Sequence, residues 1–135
     1  MWTYEHTAQT DAAPERLWRR WANIAGWPEW NAGIGRIRAS GPLAVGTTIS
    51  FGAPDEDDDV TVTITELTDG QSFTDQAVLG DAVIRTIHRV EPLDDGGARV
   101  LYRTEIDGPA ELAEQIGPAI TGDFPDVVAA LISQC

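Results

Sequence analysis

Residues 14–31 read Pro14-Glu15-Arg16-Leu17-Trp18-Arg19-Arg20-Trp21-Ala22-Asn23-Ile24-Ala25-Gly26-Trp27-Pro28-Glu29-Trp30-Asn31. Four tryptophans fall in two pairs, Trp18 with Trp21 and Trp27 with Trp30. A three-residue spacing puts both members of a pair on one face of a helix. Thr10 or Asp11 can accept hydrogen bonds from the free N–H groups at a helix start, and Pro14 suits a first turn. Gly26 and Pro28 then force a break, so the stretch predicts two short helices. Each indole brings a large apolar body and one N–H that needs an acceptor. Four in so short a run either fill a core, as aromatic stripes at this spacing usually do, or line a cavity.

The chain on either side of this stretch reads as strands. Upstream, Trp2, Tyr4, His6 and Ala8 alternate with Thr3, Glu5, Thr7 and Gln9, the pattern of a strand with one buried face. Downstream, Ile34 to Ala39 predicts a strand with Ile37 inward and Arg36 and Arg38 outward. Gly41-Pro42 turns the chain, and Thr47, Ile49 and Phe51 share the face of the next strand. Asp55 to Asp59 is an unbroken acidic block that repels itself and belongs on a solvated loop tip. It lacks the glycine turn and distal glutamate of a calcium loop. Val60, Val62, Ile64 and Leu67 mark a further strand. Three more follow, at Gln71 to Leu79, Ala82 to Glu91 and Ala98 to Asp107, separated by Gly80-Asp81 and by Asp94 to Gly97. The period then changes. Leu112, Ile116 and Ile120 are four apart, and Val127, Val128, Leu131 and Ile132 continue an apolar helical face. Gly117-Pro118 and the run from Gly122 to Pro125 must kink that helix or divide it.

Bulk properties narrow the function. The chain has 135 residues, enough for one sizeable core and one domain over 1–135. It carries 22 acidic and 9 basic side chains, a formal charge of −13. That balance argues against nucleic acid or an anionic membrane surface as a partner. No apolar run approaches the ~20 residues of a membrane span, and no signal peptide is apparent. A cytoplasmic location is the expectation. The only cysteine is Cys135, and the two histidines stand far apart, so neither a disulfide framework nor a metal site is expected. Gly33 and Gly35 begin a dinucleotide-binding pattern that Arg38 ends, and no phosphate loop or nucleophile elbow occurs. No cofactor is expected.

The element order is strand, two small helices, about six strands and a long helix. Short loops between successive strands favour an antiparallel meander, and the one long amphipathic helix must cover a sheet face. Several stretches strengthen this reading: Pro14-Glu15-Arg16-Leu17-Trp18, then Gly26-Trp27-Pro28-Glu29-Trp30-Asn31, then Gly41-Pro42-Leu43 with Gly46-Thr47. Phe73-Thr74-Asp75, His88 and Gly108-Pro109 extend it. On these residues the chain resembles the START-like, helix-grip superfamily, in its polyketide cyclase/dehydrase and lipid-transport (SRPBCC) branch, over nearly its whole length. The resemblance implies an α+β fold. A curved antiparallel sheet of about seven strands wraps a long, kinked C-terminal helix, with two short helices after the first strand and a cavity between sheet and helix. It is a weaker guide to activity, because such folds host carriers, cyclases, receptors and co-chaperones.

Register locates the candidate site. If Gly80-Asp81 is a two-residue turn, Leu79 opposes Ala82 and Phe73 opposes His88. If the next hairpin keeps even positions together, His88 opposes Tyr102. Phe73, Asp75, Ala77, Ile84, Thr86, His88, Val100, Tyr102 and Thr104 then share the concave face, and a one-residue slip would turn them all outward. Asp75 lies diagonally from His88 in this register. His6 faces the same side from the first strand. An Asp75–His88–Tyr102 group in an apolar cavity can position a polar ligand group or move a proton; the more ordinary reading is a satisfied hydrogen-bond cluster within a sheet, since buried polar groups are normally paired. Trp27, Trp30 and Phe51, with Ile116 and Ile120 from the helix, complete the expected ligand-binding set. Arg85, Arg89, Arg99 and Arg103 point to the other face, toward Glu91 and Glu105.

The expected function is a carrier or sensor that binds a small hydrophobic molecule, lipid or polyketide-like. The alternative is a cyclase or dehydratase with His88 as general acid or base and Asp75 orienting it. A protein-interaction module is a third reading, and a homodimer is left open.

Overall fold

The computed structural model describes residues Met1–Cys135. β1 (Trp2–Thr10) leads into α1 (Pro14–Ala22) and a short 3-10 helix (Ile24–Glu29). The strands β2 (Arg36–Ala39), β3 (Thr48–Gly52), β4 (Val60–Thr68), β5 (Ser72–Leu79), β6 (Ala82–Pro92) and β7 (Ala98–Asp107) follow. The chain ends in α2 (Ala110–Thr121) and α3 (Phe124–Ser133). The seven strands form one antiparallel sheet in the order β1-β7-β6-β5-β4-β3-β2. The meander is therefore closed on one side by the first strand pairing with the last, with Trp2 opposite Ile106 and Thr10 opposite Ala98.

The register is the one that the Gly80-Asp81 turn predicts. Leu79 opposes Ala82, Phe73 opposes His88, and His88 opposes Tyr102. Gly80 takes a positive φ of 59°, which a two-residue hairpin favours at its first position. Burial alternates along β6 and β7, so Ala82, Ile84, Thr86, His88 and Val90 turn to the concave side with Ala98, Val100, Tyr102, Thr104 and Ile106. β4 slips phase between Ile64 and Glu66, where a bulge shifts the pairing with β5. The bulge explains why the apolar series steps from Ile64 to Leu67 and not to Glu66.

Two local expectations are corrected. Neither Thr10 nor Asp11 caps α1: Ala13 holds the N-cap position without a side-chain bond, and the Thr10 hydroxyl accepts from the Ala12 N–H at 3.1 Å. Pro14 does occupy the first turn. The strand expected from Ile34 begins only at Arg36, because Ile34 and Gly35 are used in the loop that meets β3. The acidic block lies exposed between β3 and β4, as expected, but it is not free. Arg36 Nε donates to Asp59 Oδ1 at 2.6 Å, and its guanidinium also reaches the carbonyl oxygens of Glu56 and Asp58.

The long C-terminal helix is kinked at Gly122-Asp123. Gly122 keeps helical backbone angles, φ −61°, ψ −25°, while Asp123 leaves them for φ −97°, ψ 1°. Pro125 has no N–H to give the Thr121 carbonyl, which is the donor an unbroken helix needs there. Pro118 is accommodated inside α2 without ending it. Upstream of the kink the helix lies against β1 and β7, where the Trp2 indole packs directly over Gly117. No helix is long and apolar enough to cross a membrane.

Candidate functional site

Between the concave sheet face, the tryptophan segment and the kinked helix lies a cavity of about 300 Å³. The helices supply Trp21, Trp27 and Trp30 at one end, and Ile120, Phe124 and Val127 along the side. The sheet supplies Phe73, Asp75 and Ala77 from β5, Ile84, Thr86 and His88 from β6, and Tyr102 from β7. Asn31, Gly33, Val60 and Asp123 also line it, and all but half-buried Asn31 are exposed to solvent, which marks the mouth. The kink in the helix thus places Asp123 at the opening and Phe124 inside.

The aromatic wall is continuous. The Phe73 and His88 rings stack with centroids 4.2 Å apart and planes within 7°. Trp27 stacks on Phe73 at 6.0 Å, and Tyr102 meets His88 edge-on at 4.7 Å. Directly opposed positions on neighbouring strands make such pairs, so the stack follows from the register. Trp21, wholly buried, bridges helix and sheet: its Nε1 donates to the Tyr102 hydroxyl at 3.2 Å. Trp27 Nε1 donates to the Trp21 carbonyl at 3.0 Å, which ties the 3-10 helix to α1. Trp30 Nε1 and His88 Nδ1 are buried without a hydrogen-bond partner.

The polar groups are few and strongly perturbed. Asp75 Oδ2 stands 3.9 Å from His88 Nδ1, too far for a hydrogen bond. Their side chains are only 16% and 10% exposed. Burial pushes the Asp75 carboxyl up to about 7 and the His88 imidazole down to about 3, because each loses the water that would solvate its charged form. The pair therefore rests as a neutral imidazole beside a carboxyl that titrates near neutrality, not as an ion pair. Burial also raises the Tyr102 phenol, against the donation from Trp21, and Asp75 and Asp123 both add to the rise. Thr86 and Thr104 satisfy each other at 3.0 Å.

Of the eleven residues expected to meet a ligand, ten line this cavity: Trp27, Trp30, Phe51, Phe73, Asp75, Ile84, Thr86, His88, Tyr102 and Ile120. Ile116 does not. One turn earlier on α2 it packs against a smaller cluster of Ala82, Ile84, Ile106 and Ala113, away from the opening. His6 is paired opposite Tyr102 but lies outside the lining. Sequence reasoning missed Asp123 and Phe124. Their signal was the helix-breaking run Gly122 to Pro125, read only as a kink and not as a site. It also gave Trp21 to the helix face without its bond to Tyr102. On the outer face Arg103 bonds Glu105 at 2.9 Å and Arg99 approaches Glu91 at 3.7 Å, as expected, while Arg85 turns to Gln76 and Asp107.

Comparison with known proteins agrees with this fold. The profile of the family described as polyketide cyclase/dehydrase and lipid transport matches residues 1–134. No curated protein matches the chain. Among solved structures, norcoclaurine synthase from Thalictrum flavum, in complex with dopamine and hydroxybenzaldehyde, superposes with a TM-score of 0.79 at 16% identity. That match covers 98% of this chain and 85% of the other. A protein from Thermobifida fusca gives a TM-score of 0.82 at 18% identity, covering 99% and 93%. One from Mesorhizobium loti gives 0.76 at 17%, covering 98% and 95%. At such identities the likeness is one of fold.

Proposed function

The chain belongs to the polyketide cyclase/dehydrase and lipid transport family, and from that premise we propose that it binds one small hydrophobic molecule in the cavity, as a carrier or sensor. The observation that carries the reading is the largely apolar cavity of about 300 Å³ between sheet and helix, open at one mouth. That volume is at the lower limit of ligand pockets, roughly 300–1,000 Å³, and suits a compact ligand better than a diacyl lipid. Most of the lining is aromatic or aliphatic, with Asp75, Thr86, His88 and Tyr102 grouped on the sheet side to orient a polar substituent.

A catalytic reading has one specific observation in its favour, the Asp75 carboxyl at about 7. A general acid or base works best with a pKa near the operating pH. In a cyclase or dehydratase built on this site, Asp75 would move the proton. His88, held neutral, would orient or accept. This reverses the roles that residue type alone suggests.

Binding is tested with N-phenyl-1-naphthylamine, an uncharged apolar dye, and with Ala77→Phe, which adds a ring to the cavity wall. The protein should bind the dye with micromolar affinity, and the variant, shown folded by its circular dichroism, should bind at least about tenfold more weakly, the scale of one misfitting group in an apolar pocket. Equal affinity in the two proteins would place the dye elsewhere and reject the cavity as the site.

A further inference from the structure

The cavity wall has a one-sided charge inventory. Asp75 in the interior and Asp123 at the mouth are its only formally charged side chains; no lysine, arginine or glutamate lines it. The two carboxylates sit at different depths, and both act on the hydroxyl of Tyr102. No protein donor offsets the burial of the Asp75 carboxyl, which faces Thr86 and the neutral His88 of β6, Ile64 of β4 and Tyr102 of β7. The same cavity is lined by the rings of Trp27, Trp30 and Phe73, whose π-faces attract cations. The chain as a whole carries a formal charge of −13.

We propose that the cavity selects a compact organic cation, an apolar body bearing a protonated amine, held by Asp75 inside and drawn in past Asp123. The proposal rests on the ligand-binding reading above and adds the chemical class of the ligand. Three features act together. An ammonium supplies Asp75 with the charged donor it lacks, and a charge-assisted pair is stronger than a neutral one. Aromatic faces in the cavity lining offer contacts to the remaining cationic surface. The acidic exterior concentrates cations and repels anions at the opening. A fatty acid or a carboxylated polyketide meets the opposite situation: its carboxylate would enter a space whose only charges are negative, with no basic residue to receive it.

The same inventory predicts proton release. Burial raises the Asp75 carboxyl to about 7, whereas an ammonium beside it favours the carboxylate. His88 stays neutral throughout this range, and Asp123 is exposed at the mouth.

Three probes of one size test the inference by isothermal titration at pH 7: cyclohexylmethylamine, cyclohexylmethanol and cyclohexanecarboxylate. The amine should bind about tenfold or more tightly than the alcohol, and the carboxylate most weakly, with one pair of complementary charges worth at least that factor. Binding of the amine should release a fraction of a proton, read from its heat in two buffers of different ionisation enthalpy. Asp75→Asn, of nearly equal volume, should bring the amine down to the affinity of the alcohol and abolish the proton release. Asp123→Asn, at an exposed position, should keep the fold and weaken only the amine, by a few-fold. Binding of all three probes with no preference for the amine, or a preference that survives Asp75→Asn, overturns this inference and leaves the cavity reading standing. Failure of all three to bind overturns both.

Discussion

Asp75 and His88 show how a register decides chemistry. On an outer face both would keep ordinary titration ranges; turned inward, burial moves them in opposite directions, to about 7 and about 3. The consequence for stability has a definite sign. The Asp75 contribution is full below the ordinary value of 3.8 and is lost as pH rises through 7, because the native chain holds a proton that the unfolded chain releases. The His88 contribution is full above 6.5 and is lost as pH falls through about 3, because the unfolded chain takes up a proton that the native chain refuses. Between about pH 4 and 6.5 the two slopes oppose and largely cancel. Asp75→Asn should therefore leave a protein that loses stability steadily as pH is lowered from 6.5 toward 4. His88→Asn should leave one that gains stability on going from pH 7 to 4. Urea midpoints measured across this range check both, and parallel curves for the two variants would show that neither group is desolvated as described.

At the level of elements, hairpins were the most legible part. Gly80-Asp81 fixes β5 against β6, and the concave set Phe73, Asp75, Ala77, Ile84, Thr86, His88 and Tyr102 follows from counting in twos. The loop contacts were not legible, because they join segments far apart in sequence. Arg36 reads simply as an outward residue of an edge strand, yet it holds the acidic loop by three of its residues, Glu56, Asp58 and Asp59. Gly35 is the steric partner of that arrangement. A Cβ there would press on the Pro54 backbone, well inside contact distance, while one at Gly41 would meet nothing within 4 Å. Gly35→Ala should accordingly push the acidic loop outward and cost about 1–3 kcal/mol, the usual scale of overpacking, whereas Gly41→Ala should be nearly neutral. Thermal melts of the pair test this; equal melting temperatures would mean that the loop yields freely. The kink was half legible. Pro125 announces a break, but only the packing shows that the break puts Asp123 at the mouth and Phe124 in the wall.

For the whole molecule, the fold divides its interior between support and space. The side chains that reach zero exposure, Leu17, Trp21, Ile49, Ile64, Val100, Ile106, Val128 and Leu131 among them, anchor helices to sheet around the cavity rather than fill it. The family was legible because tryptophan spacing, turn glycines and hairpin register are local features; the identity of a ligand is not, because it depends on which side chains from nine different elements converge. The central claim is that the empty interior, and no outer surface, receives an apolar ligand. Methyl-resolved NMR with the uncharged dye tests it most directly. Dye-to-methyl Overhauser contacts are expected at Val62, Ile84, Ile120 and Val127, which line the cavity, and none at Val45, Val78 or Leu79, which are exposed outside it. Contacts at the exposed methyls with silence inside would contradict it.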